Sequence, residues 1–276
     1  MKKKRVSFFD IFNHGVFIIF ALIVILPLLI TLFSSFKTSI QIARESVLAF
    51  PRPFTFENYT EVFKDGNVLV ALKNSFLLVI LTVIINSFLA SMVAYSLSRF
   101  EFKMKRVFFF LLSVGMLLPG FIAEITRFGI IANLGVYDTI YAPLLIYVGT
   151  DLMQIYIYKQ FIDQVPFSLD ESAMIDGCSY FRIYWKIIFP VIIPATATLA
   201  ILKSVAVLND MFTPYLYMPS PHNATLTTML MNYVGRSGSW SKLSAAVIVV
   251  MIPGIVLYLV FRKKILAGMA AGAVKE

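Results

Sequence analysis

The sequence predicts an all-α, polytopic membrane protein with six transmembrane helices. Three observations carry that prediction. Hydrophobic residues make up 59% of the 276 residues, charged residues only 14%, and mean hydropathy is +0.83; a soluble domain is about 45–50% apolar and about 25% charged. Uncharged apolar runs recur along the chain, each near the roughly 20 residues a helix needs to cross hydrocarbon. Lys and Arg gather in alternate loops, the pattern that orients membrane helices. Disorder, which needs few apolar residues and much charge, is excluded.

The first run is 16–36, closed by Lys37. Lys2, Lys3, Lys4 and Arg5 precede it, but it is too long for a signal-peptide core and no A-x-A-like site follows, so it reads as a retained helix. The second run, 74–98, lies between Lys73 and Arg99, and the third, 107–123, between Arg106 and Glu124. The fourth, 139–158, contains Asp151; the fifth, 187–208, contains Lys203; the sixth, 243–261, lies between Lys242 and Arg262. Pro27, Pro119, Pro190, Pro194 and Pro253 fall in or near these runs, where neighbouring helices can satisfy the carbonyls a proline frees. The chain divides into 1–68 (N-terminal tail, first helix, outer loop), a five-helix core over 69–262 that includes an inner loop at 166–190, and a tail over 263–276.

A cytoplasmic N-terminus puts most of the 24 Lys and Arg on the inner side, among them Arg99, Lys103, Lys105, Arg106, Lys159, Arg182, Lys186, Arg262, Lys263 and Lys264. The outer positives are fewer and diluted by Glu45, Glu57, Glu61, Asp65 and Asp138. Both termini are therefore expected in the cytoplasm. The net charge of +9 records topology and an inner surface facing anionic membrane lipid; no nucleic acid is needed to explain it. The single cysteine, Cys178, excludes an intrachain disulfide and a cysteine metal cluster, and His14 and His222 are too far apart in sequence to suggest a metal site.

The clearest signal is the inner stretch 166–194, PFSLDESAMIDGCSYFRIYWKIIFPVIIP. Ser168 with Glu171 has capping-box spacing, which starts a helix at about Leu169. Gly177 suits the left-handed position just past a helix end. A second helix restarts over 180–186 and runs into the fifth span. A short helix, a sharp turn and another short helix on a membrane surface are shaped to dock into a groove of another protein; the plainer reading is an ordinary capped amphipathic loop.

Glu171-Ser172-Ala173, Asp176-Gly177, Ile187 or Ile188, Pro190 and Pro194 resemble the EAA loop of permease subunits in ATP-binding-cassette importers, with Ser172 where the family usually has Ala. Ala94 to Phe100, the outer-loop Thr55 to Tyr59, Leu134-Gly135 with Asp138-Thr139, Asn209-Asp210 and the tail Ala271 to Lys275 are similar to the carbohydrate permeases of the maltose type, on the MalG-like side. The resemblance implies a type I importer fold in a bacterial plasma membrane. Its implied partners are a second, MalF-like permease subunit, an ATPase subunit dimer and an extracytoplasmic sugar-binding protein. It further implies a sugar substrate, with an oligosaccharide fitting the subgroup, and coupling to the ATPase through Glu171, Ser172, Ala173, Asp176 and Gly177. The chain contains no GxxxxGK[ST] sequence and no Ser-His-Asp or paired-carboxylate arrangement. It is expected to be non-catalytic and to bind no cofactor, with ATP and Mg held by the ATPase subunits. The resemblance also extends to the small-residue tail after Lys264, which in MalG-like subunits reaches the ATPase interface; by composition alone that tail is a frayed end.

Charges within a bilayer point to function by default. Asp151 is open to two readings: a structural pair with Lys203, or a cavity-facing acceptor for a sugar hydroxyl. Glu124 and Arg127, three residues apart, read as a local pair. Asn209, Asp210, Gln154, Phe212 and Tyr215 offer the planar amide, carboxylate and aromatic groups that hold sugars, while Asn209 and Asp210 equally suit capping of a helix end and its loop. The outer segment from Asn209 to Lys242 is proline-broken at Pro214, Pro219 and Pro221. It is a candidate contact with the binding protein or a connector without one. A permease for a non-sugar solute is the alternative within this class. A secondary transporter would carry inverted repeats and discontinuous helices, and neither is evident in the sequence.

Overall fold

Apolar runs with so little charge leave helices as the only open-ended way to satisfy the backbone in lipid. The computed structural model describes residues 8–117, 120–149, 152–234 and 239–273, and helices dominate them. In order they are α1 (Phe8–Ser35), α2 (Ser39–Arg44), α3 (Glu57–Asp65), α4 (Val68–Arg99), α5 (Lys105–Leu117), α6 (Gly120–Asn133) and α7 (Tyr141–Val148), then α8 (Leu152–Asp163), α9 (Phe167–Ile175), α10 (Tyr180–Ile183), α11 (Phe189–Asn209), α12 (Phe212–Tyr217), α13 (Leu226–Met229) and α14 (Trp240–Ala273). A π-helical turn, Tyr184–Ile188, joins α10 to α11, and 3-10 turns cover Pro221–Asn223 and Leu230–Tyr233.

Four stretches are single helices long and apolar enough to cross a membrane: Phe12–Ser35, Val68–Arg99, Tyr180–Asn209 and Trp240–Arg262. The expected count of six is corrected to these four among the described residues. The third and fourth runs fall instead on two pairs of shorter helices, α5 with α6 and α7 with α8. The second pair breaks at Gly149, whose backbone leaves the helix (φ −49°, ψ 147°). There Asn86 Nδ2 donates to the carbonyls of Tyr147, Val148 and Gly149 at 3.4–3.5 Å, supplying donors that the helix end lacks. Pro27, Pro194 and Pro253 lie inside helices. The tail also departs from expectation: α14 continues to Ala273, in keeping with the high helix propensity of its alanines.

The chain forms two compact units. One comprises Met1–Leu69 with Met229–Ile252, the other Val70–Thr228 with Pro253–Glu276. In the first unit Lys37 is fully buried, and its Nζ donates to the Ser46 carbonyl at 3.0 Å and lies 3.9 Å from Glu45. Asn58 donates to the carbonyls of Ser35 and Lys37 at 2.9 and 2.8 Å, so it closes the end of α1. Tyr59 meets the Ser35 hydroxyl at 2.8 Å, and Phe36 stacks on Phe54 at 4.2 Å. The Thr55–Tyr59 stretch therefore holds this unit together. Lys242 pairs with Glu61 at 2.7 Å. Thr38 caps α2 in a capping box with Gln41.

In the second unit, α4 offers Ala90, Ala94 and Ser91 to α10 and the π-helical turn. Small side chains let helices approach closely where packing, rather than water exclusion, drives association. Tyr184 fills the space, donating to or accepting from Ser91 Oγ at 2.8 Å and lying 5.5 Å from the Tyr95 ring. Ile155, Tyr158 and Ile162 of α8 and Ile188, Ile192 and Leu199 complete this core. The π-helical turn precedes Pro190. A proline ring clashes with the carbonyl four residues back, and widening the helix at that turn accommodates it.

Candidate functional site

The inner loop is moored at Arg99, the last residue of α4. Its Nη2 donates to the Val165 carbonyl at 2.8 Å, and its Nε lies 2.8 Å from Asp170 Oδ2. The Nε approach lies off the N–H axis, so the contact is ionic rather than a directed hydrogen bond. The guanidinium also sits 5.7 Å from the centroid of the Phe167 ring. Burial pushes the Asp170 carboxyl up from its ordinary range, and Arg99 opposes that shift. Nearby, Asp163 accepts from Ser98 and Lys159, each at 2.6 Å. Burial alone would raise its pKa, but these donors hold it below the usual value.

The capping box expected at Ser168 and Glu171 is absent. Helix α9 begins two residues earlier, with Pro166 at the cap and no side-chain cap bond. Pro166 fixes a φ of −57° that leads into the helix, and Ser168 lies inside, its carbonyl taken by Ser172 Oγ at 2.8 Å. The helix closes with a glycine in the left-handed region: Gly177 has φ +78°, its N–H bonds to Met174 O at 3.0 Å, and Cys178 N–H bonds to Ala173 O at 2.9 Å. This pair of bonds is the Schellman arrangement. The chain turns, Ser179 caps α10, and the helix runs without interruption from Tyr180 to Asn209.

The loop's two faces differ. Ala173 and Asp170 are buried, Ala173 in the core shared with α8 and α10. Glu171, Ser172, Asp176 and Gly177 are exposed, as are Phe167, Leu169 and Ile175, the last at 87%. A short helix is thus fixed on one side and presents acidic and apolar groups on the other.

A cavity of about 590 Å³ lies between α6, α7 and α11, lined by Arg127, Ile131, Leu145, Ile146, Gly149 and Lys203 among others. Arg127 Nη1 donates to Glu124 Oε1 at 2.7 Å, and the other Glu124 oxygen accepts from Tyr217 at 2.7 Å. The local pair read from the spacing is present and extends to α12.

The remaining candidates separate. Asn209 is exposed at the end of α11. Asp210 caps the turn into α12: it accepts from Thr213 N–H at 3.1 Å, Thr213 Oγ1 at 2.6 Å and Tyr147 at 2.9 Å. Gln154 is buried in the second unit beside Tyr158, away from the cavity lining. Asp151 lies outside the described residues, as do Arg236 and its neighbours in the outer segment. Phe212 and Tyr215 are exposed. The mooring by Arg99 and Asp170 escaped the sequence reading, although the basic end of one apolar run and an acid in the next inner loop carried the signal.

Residues 86–269 match the family described as the binding-protein-dependent transport system inner membrane component. The chain belongs to that family. The match takes in α9, the moored loop and the cavity. This permease is 31% identical over 280 residues, 99% of both chains, to the multiple sugar-binding transport system permease protein MsmG of Streptococcus mutans. It is 29% identical to the galactooligosaccharides transport system permease protein GanQ of Bacillus subtilis, over 96% of this chain and 95% of that one. Its fold is that of a subunit in the crystal structure of a bacterial ABC transporter involved in the import of the acidic polysaccharide alginate (TM-score 0.81, 23% identity, 95% of this chain and 98% of that one). The permease is therefore a multi-pass membrane protein of the ABC-importer type.

Proposed function

We propose that the permease is one of two membrane subunits of an ATP-driven, binding-protein-dependent oligosaccharide importer. It pairs with a MalF-like second permease, receives sugar from an extracytoplasmic binding protein and is driven by an ATPase dimer. The sugar class rests on the relatives named above. The coupling element is α9, and one observation carries that reading: a short helix moored by a buried ion pair on one side exposes Glu171, Ser172, Leu169 and Ile175 on the other. A rigid short helix passes on a displacement that a slack loop would absorb. Ala173 is the small residue that lets α9 sit close to the core, and Asp176 and Gly177 close the helix toward α10. On this reading both termini lie in the cytoplasm.

The test is sugar-stimulated ATPase activity and uptake in the reconstituted importer. Glu171→Lys reverses an exposed charge, and Gly177→Asp adds an acidic side chain to the exposed turn that closes α9. Each variant should assemble in the membrane yet lose coupled uptake. Normal uptake in both variants would refute the assignment of α9.

A further inference from the structure

We propose that the pocket at the turn from α4 to α5 holds the headgroup of an anionic phospholipid, with the acyl chains laid along α5. The inference takes only its inner-leaflet placement from the importer reading above. Helix α4 is long and apolar enough to cross the membrane and ends at Arg99, so the residues that follow stand at a membrane surface. There Glu101, Phe102, Lys103, Lys105, Arg106 and Phe109 line a pocket of about 570 Å³, within the range of ligand sites, about 300–1,000 Å³. Lys105 Nζ donates to Glu101 Oε1 at 2.6 Å, a pair that cancels its own charge. Lys103 and Arg106 form no ion pair among the described residues, so the pocket keeps a net positive charge.

The mixed lining fits a headgroup that joins a phosphate to hydroxyls. The Arg106 guanidinium offers a fork of donors matched to phosphate oxygens, and Lys103 adds a point charge. Glu101 spends one oxygen on Lys105 and has a second to accept from a hydroxyl. Phosphatidylglycerol presents both groups. The chain beyond the pocket suits the tails. Residues 107–117 carry no charge, and Val107, Phe108, Phe110 and Leu111 are exposed while Phe109 packs against the core. A cationic pocket that opens onto an apolar helix face matches a molecule with an anionic head and apolar tails, and basic pockets at the cytoplasmic ends of membrane helices bind such heads. A free phosphate or a protein carboxylate would account for the pocket and leave the α5 face uncovered. Phe100 of the same turn packs on Tyr180 at 4.9 Å, so a bound lipid steadies this turn against the start of α10.

The experiment places the photoreactive residue p-benzoylphenylalanine at position 108 of the permease, in the permease–ATPase complex in nanodiscs. It measures crosslinking to radiolabelled phosphatidylglycerol and phosphatidylcholine, present in equal amounts. Phosphatidylglycerol should be captured about fivefold or more over phosphatidylcholine, the factor that one juxtamembrane cation contributes. Lys103→Gln combined with Arg106→Gln should bring the two lipids level. Arg182→Gln removes an exposed cation outside the pocket and should leave the preference intact, which separates this site from the general attraction of a basic surface. Glycerol phosphate, a head without tails, should not compete; full competition would assign the pocket to a free phosphate and overturn the lipid site. Equal capture of both lipids, a preference unmoved by the double substitution, or capture of neither would overturn it as well. Capture is read without sugar or ATP, so its failure is distinct from failure of the importer reading, which sugar-stimulated ATPase activity judges.

Discussion

Arg99 Nε stands 2.8 Å from Asp170 Oδ2 with both side chains under one-tenth exposed. Removing one partner of a buried pair strands the other charge, at about 3–5 kcal/mol. Arg99→Met should therefore lower the melting temperature of the purified permease complex markedly. Adding Asp170→Asn to that variant should recover part of the loss. An unchanged melting temperature in Arg99→Met would show that the pair does not moor the loop.

Asp138 latches the loop after α6 to the segment after α12. Its carboxylate accepts from Ser220 N–H at 3.0 Å, from the Ser220 hydroxyl and from Asn223 Nδ2, and these donors, the Ser220 hydroxyl first, hold its pKa below the ordinary value of 3.8. A lowered native pKa means that the latch stabilises fully above the unfolded value and is lost as pH falls through the native one. Asp138→Asn keeps the left-handed turn (φ +57°), which asparagine tolerates. Melting temperatures followed downward from about pH 5 should fall less steeply in the variant. Identical slopes would refute the latch.

Gly66 is required by packing. A Cβ there would lie 2.5 Å from the Val62 carbonyl and 2.6 Å from Tyr233 Oη. Gly66→Ala should destabilise by about 1–3 kcal/mol. Gly15, in α1, has nothing within 4 Å of its Cβ position, so Gly15→Ala is the matched control and should be neutral or slightly stabilising. Comparable melting temperatures for the two variants would contradict the clash.

Asp210 and Tyr147 are tied by a 2.9 Å hydrogen bond. If capping is the role of Asp210, Asp210→Asn and Tyr147→Phe should each lower stability, and the double variant should lose less than the sum. A coupling of about 1 kcal/mol or more is expected for a bond to a charged group. Additive losses would leave Asp210 without that structural role.

Legibility varied with the physics behind each feature. Single long helices were plain, because 18 or more apolar residues have one home. The paired helices α7 and α8 were not, because hydropathy sums across a break that Gly149 and Asn86 create through backbone contacts. The left-handed Gly177 could be read locally, since only glycine sits there cheaply. The Ser168 capping box could not be trusted, because Pro166 and the Arg99 mooring start α9 earlier. A working capping box occurs instead at Thr38 and Gln41, in the same spacing pattern. Arg99 and Asp170 are 71 positions apart in the chain, and nothing in local pattern joins them. The Lys203 side chain stood out by its charge alone, whereas its company with Arg127 needed three helices to meet.

The π-helical turn Tyr184–Ile188 makes this point of the permease intolerant of insertions and deletions. The turn holds one residue more than an α-helix would, and successive α-helical residues rotate by about 100°. Deleting a residue there would restore the ordinary pitch but swing α10 by that angle against α11. Ile183 and Ile192 now face one core and could no longer do so together. A one-residue insertion in α11 would turn its far end, with Asp210, away from Tyr147 by the same angle. Between Gly177 and Asp210 the chain can therefore vary its side chains far more freely than its length.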